Sequence, residues 1–260
     1  MGILNVTPDS FYDGGRYEDP GQAVAQAVRM AEQGADCIDV GGESTRPGSD
    51  PVDADEEMRR VLPVIEALRD RLSVPISIDT RKSEVARHAL EAGASLVNDV
   101  SGLGYDPGMA SVVSAFGVPV VLMHMRGSPK TMQTQTEYGD LIGDLVLFFK
   151  ERMAFAERCG IPRAKIVLDP GIGFGKKWED NFLILNRLDA FRDLGCPLLV
   201  GVSRKSFIGK ALDLPEPERL AGTLAALAAA VMGGAHIVRV HDVREAVQAV
   251  RIADRIKRAA

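Results

Sequence analysis

The sequence predicts an α/β protein built as a single closed (β/α)8 TIM barrel, and three observations carry that expectation. The chain has 260 residues, close to the size at which eight βα units form one barrel. Three segments repeat one pattern: Gly34-Ala35-Asp36-Cys37-Ile38-Asp39, Gly93-Ala94-Ser95-Leu96-Val97-Asn98 and Gly234-Ala235-His236-Ile237-Val238-Arg239. Each reads as a glycine that ends a helix in the left-handed conformation, a short apolar strand, and a polar residue at the strand's end. Eight such strands alternate with helical patterns, and no linker-like stretch, low-complexity tract or heptad repeat interrupts them. An open, doubly wound sheet is the alternative that the same alternation allows.

Taken in order, the strands fall at residues 2–6, 38–40, 76–79, 96–98, 120–123, 166–169, 198–201 and 237–240. They are short and apolar throughout, as parallel strands covered on both faces are. Val24, Ala27, Val28 and Ala31 recur at helical spacing, as do Val61, Ile65, Leu68 and Leu72, and later Val243, Ala246, Val247, Val250 and Ala253. Pro63 lies inside the second of these patterns and is expected to start that helix late or kink it, because proline lacks a backbone N–H. Ser206 opens a short helix over Ser206–Leu212. The loops after the first two strands, residues 7–15 and 41–48, are long and rich in glycine, proline and hydroxyls, a composition of lids and binding loops. Residues 1–260 read as one domain.

Composition excludes several classes. A net charge of −5 gives no footing for nucleic acid or an anionic membrane. No apolar run reaches membrane-spanning length, and residues 1–8 lack the basic start of a secretory signal. Cys37, Cys159 and Cys196 are scattered and odd in number, so neither a zinc motif nor a disulfide framework is indicated. A soluble, cytoplasmic protein is the expectation.

In such a barrel the chemistry sits at the C-terminal ends of the strands. There the sequence places Asn5, Asp39, Asp79, Asn98, His124, Asp169, the run Ser203-Arg204-Lys205-Ser206, and Arg239 with His241. Any one of these alone would be an ordinary cap or loop ion pair. Their convergence on one rim describes a polar pocket for a heteroatom-rich ligand. Residues 169–176 (DPGIGFGK) look like a phosphate loop but fit neither G-x-x-x-x-G-K-[ST] nor G-x-G-x-x-G, so no nucleotide site is indicated. Their glycines instead allow the backbone to approach a flat ligand. The helix start at Ser206, beside Arg204 and Lys205, is either an anion site or a serine cap with two solvated cations. Phe11 either packs on substrate or folds back on the barrel. His124 and His241 are candidates for ligand contact, His88 belongs on a helix surface, and His236 immediately precedes a strand. No histidine pair has zinc-ligand spacing. Magnesium asks less of a protein, often one oxygen plus substrate phosphates, and Asn5 is the candidate donor. No Ser-His-Asp or Cys-His order supports a nucleophile.

With these residues in view, the chain resembles the dihydropteroate synthase family over essentially its whole length. The matching stretches are residues 1–15 (MGILNVTPDSFYDGG), 39–48 (DVGGESTRPG), 78–80, 98–99, 122–125, 169–176, 201–206 (GVSRKS) and 237–242 (IVRVHD). The resemblance implies an enzyme of folate biosynthesis that joins 6-hydroxymethyl-7,8-dihydropterin diphosphate to para-aminobenzoate, by loss of diphosphate and then attack of the arylamine. It implies that Asp79, Asn98, Asp169 and Lys205 hydrogen-bond the pterin, with Arg239 on its face. Asn5, Arg46, Arg239 and His241 would hold the diphosphate, with Mg2+ on Asn5. Phe11, Thr45, Pro47, Phe174 and Ser206 would enclose para-aminobenzoate. Asp9, Arg46, Lys205, Arg239 and His241 would act in catalysis, and Asp39 would lie beneath the site. The chain departs from the family at Tyr12, where serine is common, and at Ile172, where an aromatic is common. It also begins at its first strand, without the segment that usually precedes it.

Two rivals share parts of this pattern. A pterin-binding methyltransferase barrel has no use for the 203–206 run or the Thr45-Arg46-Pro47 loop, and an inactive paralogue would have lost Lys205, Arg239 or that loop. All are present. The segment from Leu220 to Val231 (LAGTLAALAAAV) is apolar around nearly the whole helix. It is expected to pack on its symmetry mate in a homodimer, with Ala226 or Ala230 facing outward. The alternative is a helix sheltered by its own neighbours. The family resemblance also implies a dimer.

Overall fold

The computed structural model describes residues 1–7, 20–44 and 48–259. The expected strands form as β1 (Gly2–Asn5), β2 (Ile38–Gly41), β3 (Ile76–Asp79), β4 (Leu96–Asp99), β5 (Val120–Met123), β6 (Ile166–Asp169), β7 (Leu199–Val200) and β8 (Ile237–Val238). β1 to β6 pair side by side in chain order and β7 pairs with β8, every pair parallel. Parallel bridges from Leu168 to Leu198 and from Gly2 to Val240 join the two sets. The Ile3 N–H donates to the Val240 carbonyl at 2.9 Å, and the Val240 N–H to that of Met1 at 3.0 Å. The sheet therefore closes on itself as a (β/α)8 barrel, and the open-sheet alternative falls.

Around it run α1 (Pro20–Glu32), α2 (Ala54–Arg69), α3 (Ser83–Ala92), α4 (Met109–Phe116), α5 (Leu141–Arg158), α6 (Trp178–Asn186), α7 (Ser206–Leu212), α8 (Leu220–Gly233) and α9 (Val243–Arg258). Their apolar stripes are the buried faces: Val24 and Ala27 of α1, Val61, Ile65 and Leu68 of α2, Val243, Ala246 and Ala253 of α9. The three repeat glycines, Gly34, Gly93 and Gly234, all take positive φ at the helix ends, which a Cβ would oppose.

Two expectations are corrected. Pro63 does not delay the start of α2, the first of the two outcomes expected of it. The helix starts at Ala54 because Asp53 caps it, accepting from the Glu56 N–H at 2.8 Å. It then runs through Pro63 because the buried stripe on either side outweighs one missing hydrogen bond. On α8, Ala230 is buried and Ala226 half-buried, while Ala225 and Ala229 are exposed. The outward face lies elsewhere on the helix than expected. Among the described residues no helix is long and apolar enough to cross a membrane.

Parallel register sets the strand ends level. Gly41 stands opposite Asp79, Asp79 opposite Asn98, and Met123 opposite Asp169. Polar residues from separate parts of the chain thereby meet on one rim.

Candidate active site

The site is built on a buried charge cluster. Asp39 of β2 is fully buried, and its Oδ2 accepts from Arg239 Nε at 2.6 Å and from Asn98 Nδ2 at 2.9 Å. The same guanidinium reaches the next strand, where its second nitrogen donates to Asp79 Oδ2 at 2.7 Å. Asp39 thus fixes a cation and an amide from below, and Arg239 spans two carboxylates. Asp39 Oδ1 and Asp79 Oδ1 have no hydrogen-bond partner among the described residues. Burial pushes the Asp79 carboxyl above the usual carboxylate range, against the attraction of Arg239. Such clusters are seldom a gain in stability, since desolvating each charge offsets most of the Coulombic attraction.

The opposite wall comes from β6 and the start of α7. Asp169 Oδ1 accepts from the Gly171 N–H at 2.8 Å. Burial raises its carboxyl, and Lys205 is the largest opposing influence. The Lys205 amine donates to the Ile172 carbonyl and stands 4.8 Å from the centre of the Phe174 ring. Burial lowers its pKa to about 8, with Asp169 acting the other way. Between the walls lies a cavity of about 480 Å3, reached by Asn5, Asp79, Asn98, Asp169, Phe174, Lys205, Ser206, Arg239 and His241. His241 Nδ1 is 2.9 Å from Ser203 Oγ.

All nine of those residues were singled out from sequence, and the fold brings them to one cavity; Asp39 lies below it. Asp9, Phe11, Thr45, Arg46 and Pro47 lie outside the described residues. Some expectations fail. His124 does not line the cavity: it is buried, edge-on to Phe148 at 4.7 Å, with Nδ1 3.0 Å from Lys176 Nζ. Burial, then the Lys176 charge, drive its pKa down to about 2, so it stays neutral. Ser206 is not the cap of α7; Lys205 holds that position and Ser206 is the exposed first residue. Arg204 is no solvated cation, for it pairs with both oxygens of Asp242 at 2.9 and 2.6 Å. His88 lies on the surface of α3 as expected, partly covered, its Nδ1 2.9 Å from the Glu84 carbonyl. His236 is exposed and accepts from the Leu198 N–H at 3.1 Å.

Other residues were missed. Met132, Glu216 and Arg219 also line the cavity, and Lys176 is buried behind it. No local signal marks the first three, which reach the site from segments far along the chain.

The arrangement defines a class of protein: a barrel whose strand ends present carboxylates, an amide and two cations to a flat ligand rich in donors and acceptors. The comparisons agree. The profile described as pterin binding enzyme matches residues 1–241. The dihydropteroate synthase of Synechocystis sp. is 51% identical over 259 residues, covering 99% of this chain and 90% of the relative. The structure of the Clostridium difficile dihydropteroate synthase solved in the presence of pteroic acid superposes with a TM-score of 0.93 at 49% identity, covering 98% of this chain and 95% of that one. That of the Xanthomonas albilineans dihydropteroate synthase with 4-aminobenzoic acid gives 0.93 at 44% identity, covering 99% and 92%. This chain belongs to the pterin binding enzyme family, on the branch of the dihydropteroate synthases.

Proposed function

We propose that this chain condenses 6-hydroxymethyl-7,8-dihydropterin diphosphate with para-aminobenzoate, giving 7,8-dihydropteroate and diphosphate in folate biosynthesis. The observation that carries the reading is the convergence of Asp79, Asn98, Asp169, Lys205 and Arg239 on one cavity. Asp79 and Asp169 accept from ring N–H groups, Asn98 both donates and accepts, and Lys205 donates. Arg239 lies against the ring face, held in place by Asp39.

The reaction breaks the bond between the pterin methylene carbon and the diphosphate oxygen, and the electron pair leaves with diphosphate. The resulting cation is spread over the pterin ring. The arylamine lone pair then forms the carbon–nitrogen bond, and the nitrogen gives up a proton to solvent. An arylamine is already neutral at pH 7, so no strong base is needed. Stabilisation of the departing anion is the main demand on the protein, and Arg239 and His241 answer it, with Arg46 from the second loop, while the Asp9 carboxylate of the first loop would offset the positive charge left on the pterin. Asn5 fits a magnesium ion carried in with substrate. Asn5 lines the cavity together with His241, and one amide oxygen plus phosphate oxygens is a set that magnesium accepts. When bound, the ion would neutralise charge on the diphosphate. Phe174 and Ser206, with Phe11, Thr45 and Pro47, enclose para-aminobenzoate.

The reading extends to the whole chain, 1–260, as one catalytic domain working in the cytoplasm as a homodimer. The dimer face supported best is the groove between α8 and α9, lined by Leu224, Ala228, Met232, Ala249, Ile252 and Ile256. Ile252 and Ile256 are 61% and 60% exposed, an apolar patch that monomers usually avoid. The test of function is diphosphate release from the pterin diphosphate, with and without para-aminobenzoate. Release coupled to dihydropteroate formation is expected; no release under either condition refutes the reading.

A further inference from the structure

Lys176 is 3% exposed and lies outside the cavity. Its amine donates to the Phe174 carbonyl at 2.8 Å and the His124 carbonyl at 3.2 Å, and stands 3.0 Å from His124 Nδ1. An ammonium has three donors and here meets three acceptors. His124 completes the match in the neutral tautomer that carries its proton on Nε2 and leaves Nδ1 to accept.

What this amine grips has little shape of its own. Gly171, Gly173 and Gly175 all adopt positive φ, and glycine holds no conformation by itself. One bond closes the turn from within, the Phe174 N–H donating to the Gly171 carbonyl at 3.0 Å; the rest of its hold comes from outside, where the Gly173 N–H donates to Asn181 Oδ1 at 2.6 Å and Gln133 Nε2 donates to the Gly173 carbonyl at 3.0 Å. On the cavity side, Lys205 donates to the Ile172 carbonyl. Behind it, Lys176 takes the Phe174 carbonyl. The contact with the end of β5 is close: a Cβ on Gly171 would come within 2.0 Å of the His124 carbonyl oxygen.

We propose that Lys176 is a positioning residue: pinned to His124 at the end of β5, it sets where the 171–174 turn holds Phe174 and so shapes the para-aminobenzoate subsite. The inference rests on the function proposed above. It separates the two substrates because Asp169 is held otherwise. Asp169 pairs with Met123 in the β5–β6 ladder, and its carbonyl accepts from the His124 N–H at 2.9 Å. Phe174, five residues further on, has no ladder to hold it.

The experiment compares Lys176→Met, His124→Leu and His124→Asn with the unmodified enzyme, whose activity first tests the proposed function on its own. Asparagine offers an oxygen near the position of Nδ1; leucine offers none. In Lys176→Met and His124→Leu, KM for para-aminobenzoate should rise about tenfold or more, as displacement of a binding wall by a fraction of an ångström does. The Kd for the pterin diphosphate, by calorimetry, should stay within about threefold. His124→Asn should restore most of the KM. A residue that only stabilises the fold would lower the melting temperature and leave KM unmoved, and that result overturns the proposal. So does an equal loss of both substrates, or an asparagine variant no better than leucine. If Lys176→Met does not fold, the His124 pair decides alone.

Discussion

Asp39→Asn isolates the charge beneath the site. The wild-type Oδ2 takes both hydrogen bonds, from Arg239 and Asn98, while Oδ1 has no partner among the described residues. The asparagine oxygen can occupy the Oδ2 position and its NH2 the unpartnered one, so geometry survives and charge is lost. Hydrogen bonds to a charged group contribute about 1.5–3 kcal/mol and neutral ones about 0.5–1.5. The Asn98 bond becomes neutral on both sides and loses about 1 kcal/mol; the Arg239 bond keeps the guanidinium charge but loses the opposite one, about as much again, or about 2 kcal/mol in all. Little is screened, because Asp39 is fully buried and Arg239 only 19% exposed. In chains of about this size 1 kcal/mol moves the melting temperature by about 2–4 °C, so a fall of about 4–8 °C is expected. Calorimetric melting of the apo protein is the assay. A fall below about 1 °C would mean that the Asp39–Arg239 pair contributes nothing net, and the argument for a clamped guanidinium would go with it.

Asp169→Asn keeps shape but presents donors where the pterin needs an acceptor; calorimetry should show about 2–4 kcal/mol lost in pterin affinity, and unchanged binding would remove Asp169 from the subsite. Lys205, lowered from 10.5 to about 8 by burial, makes the unfolded chain hold a proton that the folded chain has shed across that window. Stability should therefore rise with pH between those values; Lys176, lowered to about 7 by burial, adds to the same rise, so Lys205→Met should reduce it in urea melts, and an unchanged slope in the variant sinks the assignment. Ala228→Arg, in the α8–α9 groove, should split the dimer without unfolding the barrel. Light scattering that finds the unmodified chain monomeric at micromolar concentration would end the dimer reading.

The barrel was legible because its two periodicities are undisguised: short apolar strands ended by a polar residue, and stripes such as Val61, Ile65 and Leu68 between them. The rim followed from the same spacing, since parallel register makes a strand's last polar residue a neighbour of the next strand's. What failed was orientation. Successive side chains on a strand point to opposite faces. Met123 reaches the cavity, so His124, the next residue, turns away from it. A residue known only to end a strand carries no mark of which face it takes. Pro63 misled only on where α2 begins, because the Asp53 cap and the buried stripe set that start. Glu216 and Arg219 come from the connection between α7 and α8, which the sequence pattern does not place. Lys176 was invisible because lysine is almost always exposed, and only the closed turn shows three acceptors waiting for it.

The perturbed groups of the site share one feature. Asp79 and Asp169 are raised and Lys205 is lowered, each by burial that its partners only partly offset. Every one of these shifts marks a charge short of solvation. A ligand whose edge carries both donors and acceptors supplies what water would have, so much of its binding energy comes from relieving costs the fold has already incurred. The groups proposed to do this for the pterin, namely Asp79, Asn98, Asp169 and Arg239, sit on or beside strand ends tied into the ladder. Those proposed for para-aminobenzoate, with Phe174 the clearest, sit on turns and loops. By this proposal a rigid subsite adjoins one whose walls depend on side-chain props, and the buried amine of Lys176 on the Phe174 carbonyl is one of them, beside Asn181 and Gln133 on Gly173.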